Sequence, residues 1–181
     1  MHSPFAKALK ERLYQNAVSL LRDSGHLVPL STQRAIAYVQ LGDAASTEHL
    51  ETLRESFAVD SFLFPLEQDS LKEEQRLLEQ IDQYSVILLA VYPADPRRIA
   101  EIRLLNEKDQ KEELKHFRVH GIPESMLRLA GTLQQYQEKT VVTFFGNPFG
   151  LPFFDGYSTL IMAYEADPDA QRAAAHLLRG E

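Results

Sequence analysis

Apolar positions fall along this chain in two alternating rhythms. Short, mostly apolar runs recur at Ala35–Leu41 (AIAYVQL), Val59–Leu66 around Phe62-Leu63-Phe64, Val86–Tyr92 (VILLAVY), Thr140–Phe145 (TVVTFF) and Thr159–Tyr164 (TLIMAY). These runs predict strands, and the most continuous of them, Val86–Tyr92, predicts one covered on both faces. Between them, spacings of three and four predict helices. Leu9, Leu13, Ala17 and Leu20 form one face of a helix over Ala6–Arg22, with Gly25 suited to a left-handed cap. Ser46 opens a helix bearing Leu50, Leu53 and Phe57. Ser70 and Glu73 match a capping box ahead of Leu77, Leu78 and Ile81. Pro123 leads a helix with Met126, Leu129, Ala130 and Leu133 on one side. Asp167-Pro168 starts a last one, striped by Ala170, Ala173, Ala174, Leu177 and Leu178, which stops at Gly180.

Strands and helices therefore alternate. The expected fold is α/β: a three-layer α/β/α sandwich around a mostly parallel sheet of five to six strands. The expected organisation is a single domain over residues 1–181, with a leading helix over 6–25 and the sandwich over 34–181. Residues 95–121 break the rhythm. Glu107–Lys115 carries seven charges in nine residues, which reads either as a solvated helix or as an insertion. No internal repeat or low-complexity stretch is present.

Composition narrows the function classes. With 44% hydrophobic and 25% charged residues, the 181-residue chain reads as globular. A net charge of −7 argues against nucleic-acid binding, which needs clustered Lys and Arg. No apolar run of about 20 residues predicts a membrane span, and Met1-His2-Ser3-Pro4 lacks the layout of a signal peptide. The absence of cysteine removes disulfides, thiol nucleophiles and thiolate metal sites.

The familiar catalytic patterns are missing. Leu41-Gly42-Asp43-Ala44-Ala45 lacks the glycines of a phosphate-binding loop, and no Gly-x-Ser-x-Gly elbow occurs, so no cofactor is expected. His116 and His120 have the i, i+4 spacing of metal ligands but lack the Glu of HExxH; surface histidines are expected there and no metal. Glu101, Glu107, Asp109, Glu112 and Glu113 offer the paired carboxylates that glycoside cleavage uses. Interleaved Lys108, Lys111 and Lys115 favour a self-paired, solvated face instead. The loop Gly146–Gly156 is unusual. Turn signals at Asn147-Pro148 and Asp155-Gly156 frame four large apolar residues, Phe149, Leu151, Phe153 and Phe154.

Three stretches resemble family 3 glycoside hydrolases. Ala17–Leu30 (AVSLLRDSGHLVPL) is similar to the segment that opens the second domain of that family, where a helix is followed by "LLPL" and a strand. Val141–Leu151 (VVTFFGNPFGL) resembles the "FGNPY" strand and loop of bacterial β-N-acetylglucosaminidase-like members. Leu160–Asp169 (LIMAYEADPD) resembles the closing "AYEdDp" strand and helix. The three keep the family's order and frame nearly the whole chain; only about 95–121 departs from the pattern.

The resemblance implies an accessory α/β domain of flavodoxin type. It would pack against a (β/α)8-type barrel carrying the nucleophilic Asp of a retaining enzyme on β-N-acetylglucosaminides or related β-glycosides. The resemblance implies that in the glucosidase branch this domain can supply the acid/base Glu, whereas in the N-acetylglucosaminidase branch, which this chain resembles more, that role belongs to a His on a barrel loop, so no catalytic residue is expected in this chain. Lys115–Gly121 (KHFRVHG) echoes the barrel's "KHFPGHG" but lacks its Pro-Gly and sits between two strands of this domain. Asn147, Pro148, Phe149, Leu151, Phe153 and Phe154 are the candidate barrel-facing residues, with carbohydrate only at that seam. The family setting suggests a periplasmic or extracytoplasmic location. The rival reading is a free-standing flavodoxin-like binding module or small hydrolase.

Overall fold

The computed structural model describes residues 4–31, 34–44, 46–66, 71–114 and 121–181. Their backbone forms one six-stranded sheet. The strands are β1 (Ser19–Asp23), β2 (Ile36–Leu41), β3 (Val59–Phe64), β4 (Val86–Val91), β5 (Thr140–Phe144) and β6 (Thr159–Met162). The order across the sheet is β1-β6-β5-β4-β2-β3. β2 to β6 are mutually parallel, and β1 runs antiparallel to β6 at the edge. Leaving β1 aside, the parallel strands follow the flavodoxin order, which reverses between β2 and β4.

Helices cover both faces: α1 (Pro4–Ala17), α2 (Glu48–Arg54), α3 (Leu71–Gln80), α4 (Pro96–Ile102), α5 (Glu107–Leu114), α6 (Glu124–Leu133) and α7 (Pro168–Arg179). Alternate strand residues feed two cores. Val39, Leu41, Leu89, Val91, Val142 and Phe144 meet Leu77 of α3 and Met126 and Leu129 of α6. Tyr38, Leu88, Ala90, Val141 and Ile161 meet Leu50 and Leu53 of α2 and the alanine stripe of α7. This two-sided burial explains why β4 is a continuous apolar run, whereas β3 at the edge alternates and leaves Leu63 exposed. The expected signals at α7 are present: the Asp167 carboxylate accepts from Ala170 N at 2.8 Å, and Gly180 ends the helix at φ 80°.

The leading helix differs from expectation. It stops at Ala17, and Ser19–Asp23 becomes β1. Leu20 therefore does not extend the helical face; it pairs with Ile161 of β6. The reason is non-local: β6 would otherwise present an open row of backbone donors and acceptors, and β1 satisfies it. The Asp23 carboxylate accepts from Leu27 N, Val28 N and Thr159 Oγ1 at 2.9, 3.2 and 2.9 Å, which fixes the turn that follows. The left-handed residue there is His26, φ 50°, not Gly25.

Among the described residues of 95–121 lie two short helices, α4 and α5, the second capped by Asn106 Oδ1 accepting from Lys108 N and Asp109 N. Ser70, His116 and His120, and with them the expected capping box and histidine pair, lie outside the described residues.

Candidate functional site

In an open parallel sheet, ligands and partners meet the carboxyl ends of the strands. Here those ends are Leu41, Phe64, Val91, Phe144 and Met162. Gly42 turns the chain at the β2 end with φ 96°, its backbone so close to Tyr92 that an added Cβ would lie 1.9 Å from the Tyr92 carbonyl oxygen. At the β5 end the chain leaves through Gly146, φ 147°.

The loop that follows is a 3-10 helix, Pro148–Phe154. Asn147 fixes its entry: its Oδ1 accepts from Phe149 N at 3.1 Å, and Pro148 supplies the first helical residue. With three residues per turn, positions i and i+3 share a face. Leu151 and Phe154 accordingly turn inward, and Phe149 and Pro152 outward. Phe154 is wholly buried, its ring 5.6 Å from Phe144 and 6.3 Å from Tyr157. Tyr157 in turn donates to Ala130 O at 2.6 Å. Gly150 presses on Phe144, where a Cβ would come within 2.6 Å of the ring. Phe149 is 70% exposed and Phe153 44%.

The six candidate residues thus separate. Phe154 does not belong to a presented surface; the 3-10 period puts it in the domain's own core, and Leu151 is half-buried against the same cluster. Asn147 and Pro148 shape the loop. Phe149 and Phe153 form the apolar surface.

A second constellation escaped the sequence reading. Tyr38 of β2, Tyr92 beyond β4, His49 of α2 and Gln171 of α7 meet in the core below the strand-order reversal. Tyr38 Oη lies 3.2 Å from His49 Nδ1 and 3.5 Å from Tyr92 Oη. His49 N donates to Gln171 Oε1 at 3.2 Å, and Gln171 Nε2 to Ala166 O at 2.8 Å. Phe145 stacks on Tyr92 at 4.5 Å and receives the His49 ring edge-on at 5.1 Å. Burial pushes both tyrosines up and His49 down to about 3. All three are therefore neutral near pH 7, and all are closed off from solvent. The only sequence signal was a hydroxyl inside each of two apolar strand segments; a buried hydroxyl needs a partner.

Among the described residues the other candidate chemistry is not gathered. Glu101, Glu107 and Asp109 are exposed on α4 and α5, and the side chains of Glu112 and Glu113 lie outside the described residues. Among the described residues no group of three His, Asp or Glu is placed to hold a metal ion, and no helix is long and apolar enough to cross a membrane.

The geometry so far defines a doubly wound α/β unit of flavodoxin strand order with an antiparallel edge strand. No family model and no curated protein matches the chain. Solved structures do share its fold. A glycoside hydrolase family 3 β-N-acetylglucosaminidase from Paenibacillus sp. str. FPU-7 aligns over 98% of this chain at 19% identity and TM-score 0.68. A β-glucosidase from Listeria innocua, in complex with isofagomine, aligns over 98% at 18% identity and TM-score 0.73. A GH3 exo-β-xylosidase aligns over 97% at 16% identity and TM-score 0.66. The chain spans 31%, 26% and 24% of those three chains respectively.

Proposed function

We propose that this chain is the accessory α/β domain of a family 3 glycoside hydrolase of the β-N-acetylglucosaminidase branch, acting on β-N-acetylglucosaminides or related β-glycosides. In this reading a (β/α)8-type barrel carries the nucleophilic Asp and the acid/base, and the present domain packs against it and walls one side of the sugar site. The observation that carries the reading is the extent of the fold match. Almost the whole chain aligns, yet it spans less than a third of each enzyme. The three resembling stretches, in order, point to the same domain.

The chemistry of the chain supports a non-catalytic part. Tyr38, His49 and Tyr92, each shifted by burial, are locked in the core where no substrate reaches. The loop Gly146–Gly156 is the proposed seam. Asn147 and Pro148 hold its shape, Leu151 and Phe154 anchor it inward, and Phe149 and Phe153 face the barrel. Exposed aromatic side chains on a rigid loop suit such a contact.

The test is hydrolysis of a chromogenic β-N-acetylglucosaminide. The chain alone should give background rates. Mixing it with the barrel domain encoded in the same gene or the adjoining reading frame should restore association and turnover, and Phe149→Ser/Phe153→Ser should weaken both. Turnover by the chain alone, abolished by Glu101→Gln or Glu107→Gln, would move the chemistry into this domain and overturn the reading.

A further inference from the structure

Helix α1 is amphipathic in the opposite sense from an ordinary surface helix. Its polar side faces its own domain. Lys10 pairs with Asp169 of α7, and Tyr14 donates to Asp167 and, at 3.2 Å, to Glu165. Glu11 and Gln15 line a small cleft with Asp169, Arg172, Ala173 and His176. Its apolar side, Phe5, Leu9 and Leu13 at successive i+4 positions, points to solvent with exposures of 77, 49 and 60%. Leu9 and Leu13 are residues whose spacing placed them on one helical face. The spacing is real; the face is turned outward. Beside α1, Leu20 and Leu21 of β1 are also exposed. An apolar helical stripe is normally what a helix buries, and a contiguous exposed patch normally marks an interface.

We infer that the outer face of α1, with Leu20 and Leu21, is a second contact surface of this chain, and that its occupant is the catalytic barrel of the same enzyme. The inference rests on the reading of the chain as an accessory domain. Two features select this occupant. The first is size. The five exposed residues offer roughly 500 Å², short of the ~800 Å² per partner of a standard stable complex. A second free copy would be weakly held by so little surface, whereas a partner on the same polypeptide acts at an effective concentration in the millimolar range. The second is continuity with the proposed loop seam. Arg22 of β1 donates to Asp155 O at 2.6 Å and Tyr157 O at 2.9 Å, tying the edge strand to the end of that loop. At the other end of the edge, Tyr14 bonds Glu165, next to exposed Tyr164. The α1 stripe and the Phe149/Phe153 loop therefore flank one edge strand, on opposite faces of the sheet.

The experiment uses the 181-residue chain, its Leu9→Ser/Leu13→Ser variant and Phe5→Ser as a milder second variant, measured by light scattering, thermal unfolding and titration with the barrel domain. The chain should be monomeric, and both variants should melt within about 2 °C of the parent because the changed residues bury little within the chain. Barrel binding should weaken at least tenfold in the double variant. If the parent binds the barrel and both variants bind equally well, the α1 surface is refuted while the accessory-domain reading stands. If the parent fails to bind the barrel at all, that reading falls and this inference with it. A parent dimer split by the double variant would assign the face to a second copy. Binding of the parent, but not the variant, to anionic phospholipid vesicles would assign it to a membrane surface. A melting loss of 10 °C or more in both variants would place the stripe in the domain's own core. Each of these three results overturns the inference.

Discussion

Acidification from pH 7.5 to 5.0 is expected to cost this chain about 2 kcal/mol of stability through one side chain, His49. Its ring is enclosed by Tyr38, Phe145 and the α2–α7 contact, and burial pushes it down to about 3. The unfolded chain takes up a proton near pH 6.5, whereas the folded chain resists until about pH 3. The folded value lies below the unfolded one, so this contribution is complete above pH 6.5 and is lost as pH falls towards 3. Each pH unit in that window is worth about 1.4 kcal/mol. Stopping at pH 5.0 keeps most carboxylates, including Asp169 with its pKa lowered by Lys10, out of the comparison. The assay is urea unfolding at both pH values for the parent, His49→Gln and His49→Leu. Both substitutions lower stability at pH 7.5, because Tyr38 loses a partner and the packing changes. The readout is the difference between the two pH values, which should shrink by about 2 kcal/mol in both variants. Variants that keep the parent's full pH dependence would refute the argument that burial holds His49 neutral.

Phe154→Ala should cost about 3–5 kcal/mol in thermal or urea unfolding because it empties a core site, whereas Phe153→Ser one position away should stay within about 0.5 kcal/mol. Gly42→Ala should cost more than about 2 kcal/mol, since it combines a positive φ with a collision against the Tyr92 carbonyl; a neutral melting temperature would contradict that geometry. Tyr157→Phe should lose about 1 kcal/mol with little change of volume, through the bond to Ala130 O.

Much of the fold was legible because it is local. β4 is an unbroken apolar run, and α7 carries its cap, first-turn proline, stripe and terminal glycine in order. What failed to show depends on distant partners. Val18-Ser19-Leu20-Leu21 continues a helical spacing perfectly well, and only β6, some 140 residues later, makes it a strand. The orientation of α1 was hidden for a related reason: a stripe tells which residues share a face but not which way that face turns. Within the loop after β5, four apolar residues looked equivalent until the 3-10 period divided them. The Tyr38–His49–Tyr92 cluster joins three elements through the parallel register, and no single segment announces it.

The pairing of β1 with β6 also sets a schedule for the chain during synthesis. At about 5–20 residues per second, Ser19–Asp23 emerges roughly 7–30 seconds before its partner strand. Throughout that interval the N-terminal segment has neither β6 to pair with nor Asp167 and Asp169 to hold Lys10 and Tyr14. A nascent chain thus carries an unpaired strand and a loose amphipathic helix until β6 and α7 have been made. Both are surfaces a chaperone would shield, and β6 with α7 acts as the latch that closes the domain.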